Sequence, residues 1–493
     1  AASGAFAAAP LLDGRYIDGL RRPVVSPIDA ATIVGEVVEA GADLVARAVA
    51  SARDAFRAWD GTPADARAAV LERAADQIEA QRGRLLWLLQ VEAGKTLDDA
   101  LSEVREAVDF CRYYAAESRK LLGAGRAMPG PTGESNELRL RGRGVFAAIS
   151  PWNFPLSIFV GQVAGALAAG NAVVAKPAEQ TPLVAAEAVR MLHQAGVHAP
   201  ALQLLPGDGY VGANLVAHPL IAGVVFTGST EVAWSINRTL AAKQGPIVPF
   251  IAETGGVNAM IVDATALPEQ VTDDVVTSAF RSAGQRCSAL RLLCLQDEIA
   301  DAMIEMIVGA ANELRIGDPR ELSTHIGPVI EAGAKERLDS YVAGRGSAIR
   351  YAGTAPRRGY FVAPHVVELE SPAALTEEIF GPILHVARYK ASELDHVLDA
   401  IERTGYGLTL GIHSRIDATA DAIVRRLPIG NVYINRSMIG AAVGVQPFGG
   451  SGLSGTGPKA GGPHYLARFA AEQTVTVNTA AAGGNATLLA IEE

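Results

Sequence analysis

Apolar positions recur at helical spacing through residues 41–123, at Val45, Val49, Phe56, Val70, Leu71, Ile78, Leu85, Leu88 and Leu89, in a background rich in Ala, Arg and Glu. That pattern predicts several helices covering another layer. Residues 123–136 are rich in Gly and Pro and mark a boundary. The following Glu137-Leu-Arg-Leu-Arg-Gly-Arg-Gly alternates apolar with charged side chains, as a two-faced or edge strand does. From Val145 the pattern changes to short apolar runs at 145–149, 172–175, 202–205, 221–226 and 247–251, separated by helical stretches. Strand-helix alternation implies right-handed crossovers and a doubly wound parallel sheet, with ligands at the carboxyl ends of its strands. A second alternating series begins at 259–262 and contains a helix from about 299 to 314. Residues 473–478 form a closing strand ahead of a Gly/Ala-rich tail.

Composition narrows the class. The 493 residues are 49% hydrophobic and 19% charged, which suits a well-buried α/β protein, and the net charge of −10 with no basic run argues against nucleic acid as a partner. The most apolar segment, 158–175, is broken by Gln162, Gly165, Gly170 and Asn171 and predicts a buried helix and strand, so no membrane span is expected. Three cysteines with no zinc spacing predict no disulfide framework, no structural metal and a reducing, cytoplasmic setting. The first ten residues read as a linker, as though the chain were cut from a longer polypeptide.

Candidate chemistry lies just after the predicted strands and in one turn. Cys287 falls between a helical pattern (Val271, Val275, Val276, Ala279, Phe280) and a strand pattern (Leu290 to Leu295), flanked by Gly284, Gln285, Arg286 and Ser288. A turn cysteine can be reached by solvent, and a neighbouring cation favours its thiolate; the competing reading is a buried thiol packing as a small hydrophobe. Lys176 and Glu179 follow the second strand, spaced to hold two ribose hydroxyls, and a glutamate there would repel a 2′-phosphate, favouring NAD over NADP. An ordinary solvated helix start explains the same pair. The fourth strand runs into Thr227-Gly228-Ser229-Thr230, opening a helix whose amides could meet a pyrophosphate. Gly207-x-Gly209-x-x-Gly212 and Gly450-x-Gly452-x-x-Gly455 both fit a dinucleotide fingerprint, which shows how little the expression discriminates alone. The run from Gln446 to Gly457 is too glycine-rich for a regular element and predicts a loop at a site mouth.

Taken in order, Pro151-Trp-Asn153-Phe-Pro155, Lys176-Pro-x-Glu179, Phe226-Thr-Gly-Ser229, Glu253-Thr-Gly-Gly256, Gly284-Gln-Arg-Cys287, Glu377-Glu-Ile-Phe-Gly-Pro382 and Pro447-Phe-Gly-Gly450 resemble the aldehyde dehydrogenase superfamily over nearly the whole chain. Thr254 departs from the pattern, which has leucine there in most members. The resemblance implies two doubly wound Rossmann-type lobes with a small β oligomerisation flap. An NAD-binding domain would comprise 1–123 and 143–254, and a catalytic domain 255–453. The flap and C-terminal tail would comprise 124–142 and 454–493. It also implies roles. Cys287 attacks the aldehyde carbon, Asn153 and the Cys287 N–H hold the oxyanion, and Glu253 activates the water that hydrolyses the thioester, its base form being abundant near neutral pH. The cofactor, NAD, would lie against Ser150, Trp152, Lys176, Glu179, Gly209, Gly228, Ser229, Thr254, Gly255, Glu378 and Phe380.

Within the superfamily, Cys287-Ser288-Ala289 and the segment 454–466 look like the L-glutamate γ-semialdehyde (1-pyrroline-5-carboxylate) dehydrogenases. The tail 474–485 is similar to the version fused to proline dehydrogenase in bacterial bifunctional proline utilisation flavoenzymes. Such a substrate carries an α-carboxylate and an α-ammonium remote from the aldehyde. The resemblance assigns the carboxylate to Ser288 and the backbone N–H groups of Gly440 and Ala441, the aliphatic stem to Phe448, and a gate near the ammonium to Glu106. Glu106 read alone is a charge on an exposed helix face. A homodimer or larger homo-oligomer is expected, and the likeness to the fused enzymes raises a proline dehydrogenase module in the natural chain. Two alternatives stand: a succinylglutamate semialdehyde dehydrogenase, which shares the chemistry and differs in the anchor, and a non-catalytic scaffold. Retention of Cys287, Glu253, Asn153 and Glu378 together argues against the scaffold.

Overall fold

A computed structural model describes residues 6–479 and 481. Two seven-stranded sheets dominate it. In the first, the order is Phe250–Glu253, Ile221–Thr227, Val145–Ile149, Ala172–Lys176, Leu202–Leu204, then the antiparallel pair Leu11–Leu12 and Arg15–Tyr16. Its five central strands are parallel. They read as near-continuous apolar runs because both faces are covered, and Ala172 to Lys176 is buried throughout. Strand order reverses between Val145–Ile149 and Ile221–Thr227, where such sheets leave a crevice. Register levels the strand ends along that crevice: Ile149 pairs with Lys176 and with Phe226, and Thr227 with Glu253.

The helices predicted over 41–123 are Ala42–Asp60, Ala64–Ala80, Arg82–Ala93 and Leu97–Leu122. Gly94, at φ 66°, ends the third, and the Thr96 hydroxyl caps the fourth by accepting from the Asp99 N–H at 3.4 Å. Their apolar stripes join the core of the first sheet, with Val45, Val49, Leu71, Leu85, Leu88 and Leu89 all buried.

The second sheet runs Ile349–Ala352, His365–Leu369, Ile383–Tyr389, Leu292–Gln296, Ala259–Val262, Thr409–His413, Asn431–Ile434, all parallel except the first. It has its own core. A third, antiparallel sheet sets Ala470–Asn478 beside the hairpin Arg126–Met128 and Glu134–Gly142. Only four residues, 254–257, link Glu253 at the carboxyl edge of the first sheet to Asn258, which precedes Ala259 at the amino edge of the second. Those edges therefore face one another.

Three readings are corrected. The fifth strand starts at Phe250 rather than Ile247, which is fully exposed; Pro249 has no N–H to offer a ladder there. Phe6–Ala8, read as linker, is a strand paired with Ile33–Val38, with Phe6 and Ala8 in the core. The glycine run holds a short strand, Ser451–Gly452, against Tyr406–Gly407. The 474–485 resemblance lies partly, and residues 1–5 wholly, outside the described residues. Among the described residues no helix is long and apolar enough to cross a membrane.

Candidate active site

Helix Pro268–Phe280 gives way to a turn in which Ser282, Ala283 and Gly284 all take left-handed backbone (φ 57°, 53° and 65°). A Cβ on Gly284 would stand 2.1 Å from the Gly381 carbonyl oxygen, so only glycine fits. Cys287 follows, held from three directions. The Asn258 amide donates to the carbonyls of Cys287 (2.6 Å) and Ala289 (2.9 Å). Arg291, wholly buried, donates to the carbonyls of Gly284 (2.7 Å) and Arg286 (2.9 Å) and pairs with Glu378 at 3.2 Å. Gln285 accepts from the Ile330 N–H at 3.0 Å and donates to the Pro328 carbonyl at 3.2 Å. Sequence reasoning assigned nothing to Asn258 or Arg291, whose partners are set by the fold.

The turn faces a pocket lined by Glu106, Phe154, Glu253, Cys287, Ser288, Gly440, Ala441 and Phe448, with Phe110, Tyr114, Ile158 and Tyr465 supplying an apolar wall that the sequence did not flag. Ser288, Gly440, Ala441, Phe448 and Glu106 are thus on one cavity with Cys287 and Glu253. Asn153 stands beside the turn, its amide donating to the Gln285 carbonyl at 3.1 Å. Glu106 is half-buried at the cavity rather than on an exposed face; burial, reinforced by the Glu103 charge, pushes its carboxyl up to about 7.

Burial works against two expectations. Burial, with the Glu378 and Glu253 charges adding to it, pushes the Cys287 thiol up to about 12, and the opposing Arg286 cation does not compensate. The Glu253 carboxyl is likewise held well above the usual range by burial, although the Gly450 N–H donates to it at 3.2 Å and Lys459 opposes the shift. Glycines wrap this carboxyl: a Cβ on Gly449 would stand 2.7 Å from Glu253 Oε1 and one on Gly455 3.0 Å from Oε2. The glycine-rich run thus packs against the carboxyl as well as looping near the cavity.

The cofactor candidates lie along the crevice and the second sheet's facing edge. Lys176 is buried, its ammonium donating to the Pro177 carbonyl at 3.1 Å, while Glu179 is exposed nearby. Gly209 opens helix Gly209–Ala217, capped by Asp208. Ser229 caps helix Thr230–Ala242 by accepting from the Val232 N–H at 3.4 Å, and Gly228 packs on the Phe226 ring. Among the described residues the buried Ser150 hydroxyl finds no hydrogen-bond partner. Trp152 meets Phe380 edge-on at 5.6 Å between ring centroids, bringing the two halves of the predicted cofactor set together. Glu378 lies against Gly255, where a Cβ would come within 1.7 Å of Oε2. Thr254 uses its hydroxyl to donate to the Leu453 carbonyl, which gives the departure from leucine a role in fixing the glycine-rich run. An orphaned buried hydroxyl, a helix amino terminus and glycines at close approaches fit an extended dinucleotide.

If Gly255 is replaced by alanine, Glu378 must move. The expected result is a kcat lowered by about a hundredfold, as misplacement by an ångström commonly costs, with a raised KM for NAD. Initial-rate kinetics of the variant at varied NAD check this, and unchanged constants would contradict it.

The aldehyde dehydrogenase family model matches residues 17–475. Bifunctional protein PutA of Klebsiella aerogenes is 50% identical over 480 residues, covering 94% of this chain and 35% of that protein, so the chain spans about a third of the curated relative's length. A crystal structure of bifunctional proline utilization A superposes with a TM-score of 0.90 at 68% identity, over 90% of this chain and 46% of that one. The 1-pyrroline-5-carboxylate dehydrogenase from Thermus, solved with bound NAD, superposes with a TM-score of 0.92 at 35% identity, over 96% of this chain and 93% of that one.

Proposed function

The chain belongs to the aldehyde dehydrogenase family, and from that premise we propose that it oxidises L-glutamate γ-semialdehyde to L-glutamate with NAD. One observation carries the reading: a single cavity presents Cys287, Glu253, the Ser288–Gly440–Ala441 anchor and Phe448 together. The anchor suits an α-carboxylate. Gly440, at φ 83°, has no atom within 4 Å of a hypothetical Cβ, so oxygen atoms can approach its backbone.

In this reading the Cys287 sulfur loses its proton and bonds to the aldehyde carbon. The oxyanion accepts from the Cys287 N–H and from Asn153, whose second amide hydrogen remains after the bond to Gln285. NAD, held by Lys176, Glu179, Ser150, Ser229, Glu378 and Phe380 with Trp152, Gly209, Gly228, Thr254 and Gly255 shaping the groove, would supply the hydride acceptor. Glu253 then takes a proton from the water that displaces sulfur, releasing glutamate and the free thiol. Burial raises both groups, so substrate and water that solvate the cavity would favour their ionisation.

The ionisation state is measurable. A thiol held far above neutrality exposes more reactive thiolate with each step in pH, so iodoacetamide labelling of Cys287 in the ligand-free protein is expected to accelerate by about tenfold per pH unit between roughly pH 7 and 10. Mass spectrometry reads the site, and a rate flat over that range would place the thiol's pKa lower.

Steady-state turnover of glutamate semialdehyde and succinylglutamate semialdehyde, each with NAD and NADP, tests the function. Preference for glutamate semialdehyde with NAD is the expected outcome, and preference for the succinylated aldehyde would transfer the assignment. The proposed organisation is 1–123 with 143–254 for the cofactor, 255–453 for catalysis, and 124–142 with 454–493 for subunit contact. Met128 and Val477, exposed on the three-stranded sheet, support a homo-oligomer through that flap. The PutA likeness supports a proline dehydrogenase module in the natural chain, and three unpaired cysteines support a cytoplasmic setting.

A further inference from the structure

Asp99 lies in the first turn of helix Leu97–Leu122, in the helical cover of the first sheet, yet among the described residues its side-chain hydrogen-bond partners belong to the nucleophile turn of the other half. Its Oδ1 accepts from Arg281 at 2.6 Å and from Arg286 at 2.7 Å, and its Oδ2 accepts from the Ser282 hydroxyl at 2.8 Å. Arg286 Nε also donates to the Ser282 Oγ at 2.9 Å, closing a ring of three side chains, Asp99, Ser282 and Arg286, to which Arg281 is tied through Asp99. The carboxylate is fully buried. It ties the entrance of the turn, Arg281, to its exit, Arg286, across the left-handed residues Ser282 and Ala283. A left-handed backbone at two successive non-glycine residues costs energy and persists only where surrounding contacts impose it. Cys287 is the next residue after Arg286, and the Arg286 side chain lines the same cavity.

We propose that Asp99 is a positioning residue for Cys287: by clamping Arg281, Ser282 and Arg286 it holds the strained turn in the form that aims the sulfur into the cavity. The clamp couples the seating of the cofactor half to the placement of the nucleophile. This rests on Cys287 being the nucleophile of the proposed reaction.

Asp99→Asn keeps the shape and removes the charge that holds both arginines. The expected result has two opposite signs. Turnover of glutamate semialdehyde with NAD falls by about tenfold or more in kcat, with KM for NAD unchanged, because the sulfur is less well aimed. Iodoacetamide labelling of Cys287 accelerates severalfold, because the turn loosens and the Arg286 charge acts on the thiol without its partner, while Cys111 and Cys294, both buried, stay unlabelled. General loss of folding would label all three cysteines. Labelling of all three in step, or an unchanged kcat together with unchanged labelling, overturns the proposal. The variants Ser282→Ala and Arg286→Lys, which loosen the ring more gently, should show the same pair of changes at smaller size, and their normal behaviour would count against it even if Asp99→Asn failed to fold. The double variant Asp99→Asn/Arg286→Lys should lose little more kcat than the worse single, since both act through one ring; additive losses contradict it. Should wild-type protein not turn over glutamate semialdehyde, the functional reading fails, and the labelling comparison still decides the clamp.

Discussion

Cys287→Ala is expected to abolish NADH production from glutamate semialdehyde, with kcat falling on the order of 10⁵-fold to the background rate, while NAD affinity stays unchanged. The size follows from the absence of any substitute: among the described residues the other two cysteines are buried in the sheet and helix cores and cannot reach the cavity. Affinity should survive because the groove residues from Lys176 to Glu378 are untouched and the removed sulfur fills no packing role for them. Stopped assays at high enzyme concentration, with NAD titrated by protein fluorescence, separate the two quantities. Normal turnover would remove Cys287 from the mechanism, and loss of NAD binding would mean that the turn also shapes the groove.

A second large effect is expected on stability. Lys95 is buried and pairs with Glu103 at 2.9 Å; Glu103, fully buried, accepts from the N–H groups of Leu156 (2.8 Å) and Ser157 (3.2 Å). Lys95→Met leaves that carboxylate without its counter-charge in a low-dielectric interior, which costs about 3–5 kcal/mol, far more than loss of a surface pair. The midpoint of urea unfolding should fall accordingly. Adding Glu103→Gln should recover most of the loss, since the amide oxygen still accepts from Leu156 and no charge is left stranded. A single variant as stable as the parent would show that water or another cation reaches Glu103. The pair also bears on the cavity, because the Lys95 ammonium sits 4.2 Å from the centroid of Phe154, one of its walls.

Much of the fold was legible because its signals are local. The helical stripe through 41–123 and the short apolar runs from Val145 need only burial on one side or both, and each is readable within a dozen residues. The motif residues at strand ends were legible for the same reason, since register then gathers them on one edge. What escaped notice depends on distant neighbours. Asp99 and Arg286 are 187 positions apart, and nothing around either announces the other. Arg291 sits in an otherwise apolar stretch and looks like an interruption until the carbonyls it satisfies are known. The upward push on the Cys287 thiol was not legible because the visible neighbour, Arg286, is adjacent in sequence, whereas the burial that opposes it is set by the fold and the added carboxylates come from residues 253 and 378. Glu106 was ambiguous because helical periodicity says which face a residue occupies but not whether that face borders a cavity.

The link 254–257 also sets a distance. Even fully extended, the five steps from Glu253 to Asn258 span no more than about 18 Å, so the Glu253 carboxyl at one end and the bracket of the Cys287 carbonyl at the other share a short tether. Insertions elsewhere, in the exposed turns, would leave the reaction alone. On the proposed mechanism a single added residue here would let Glu253 and Cys287 slide past each other, which makes the length of this one connection a determinant of the chemistry.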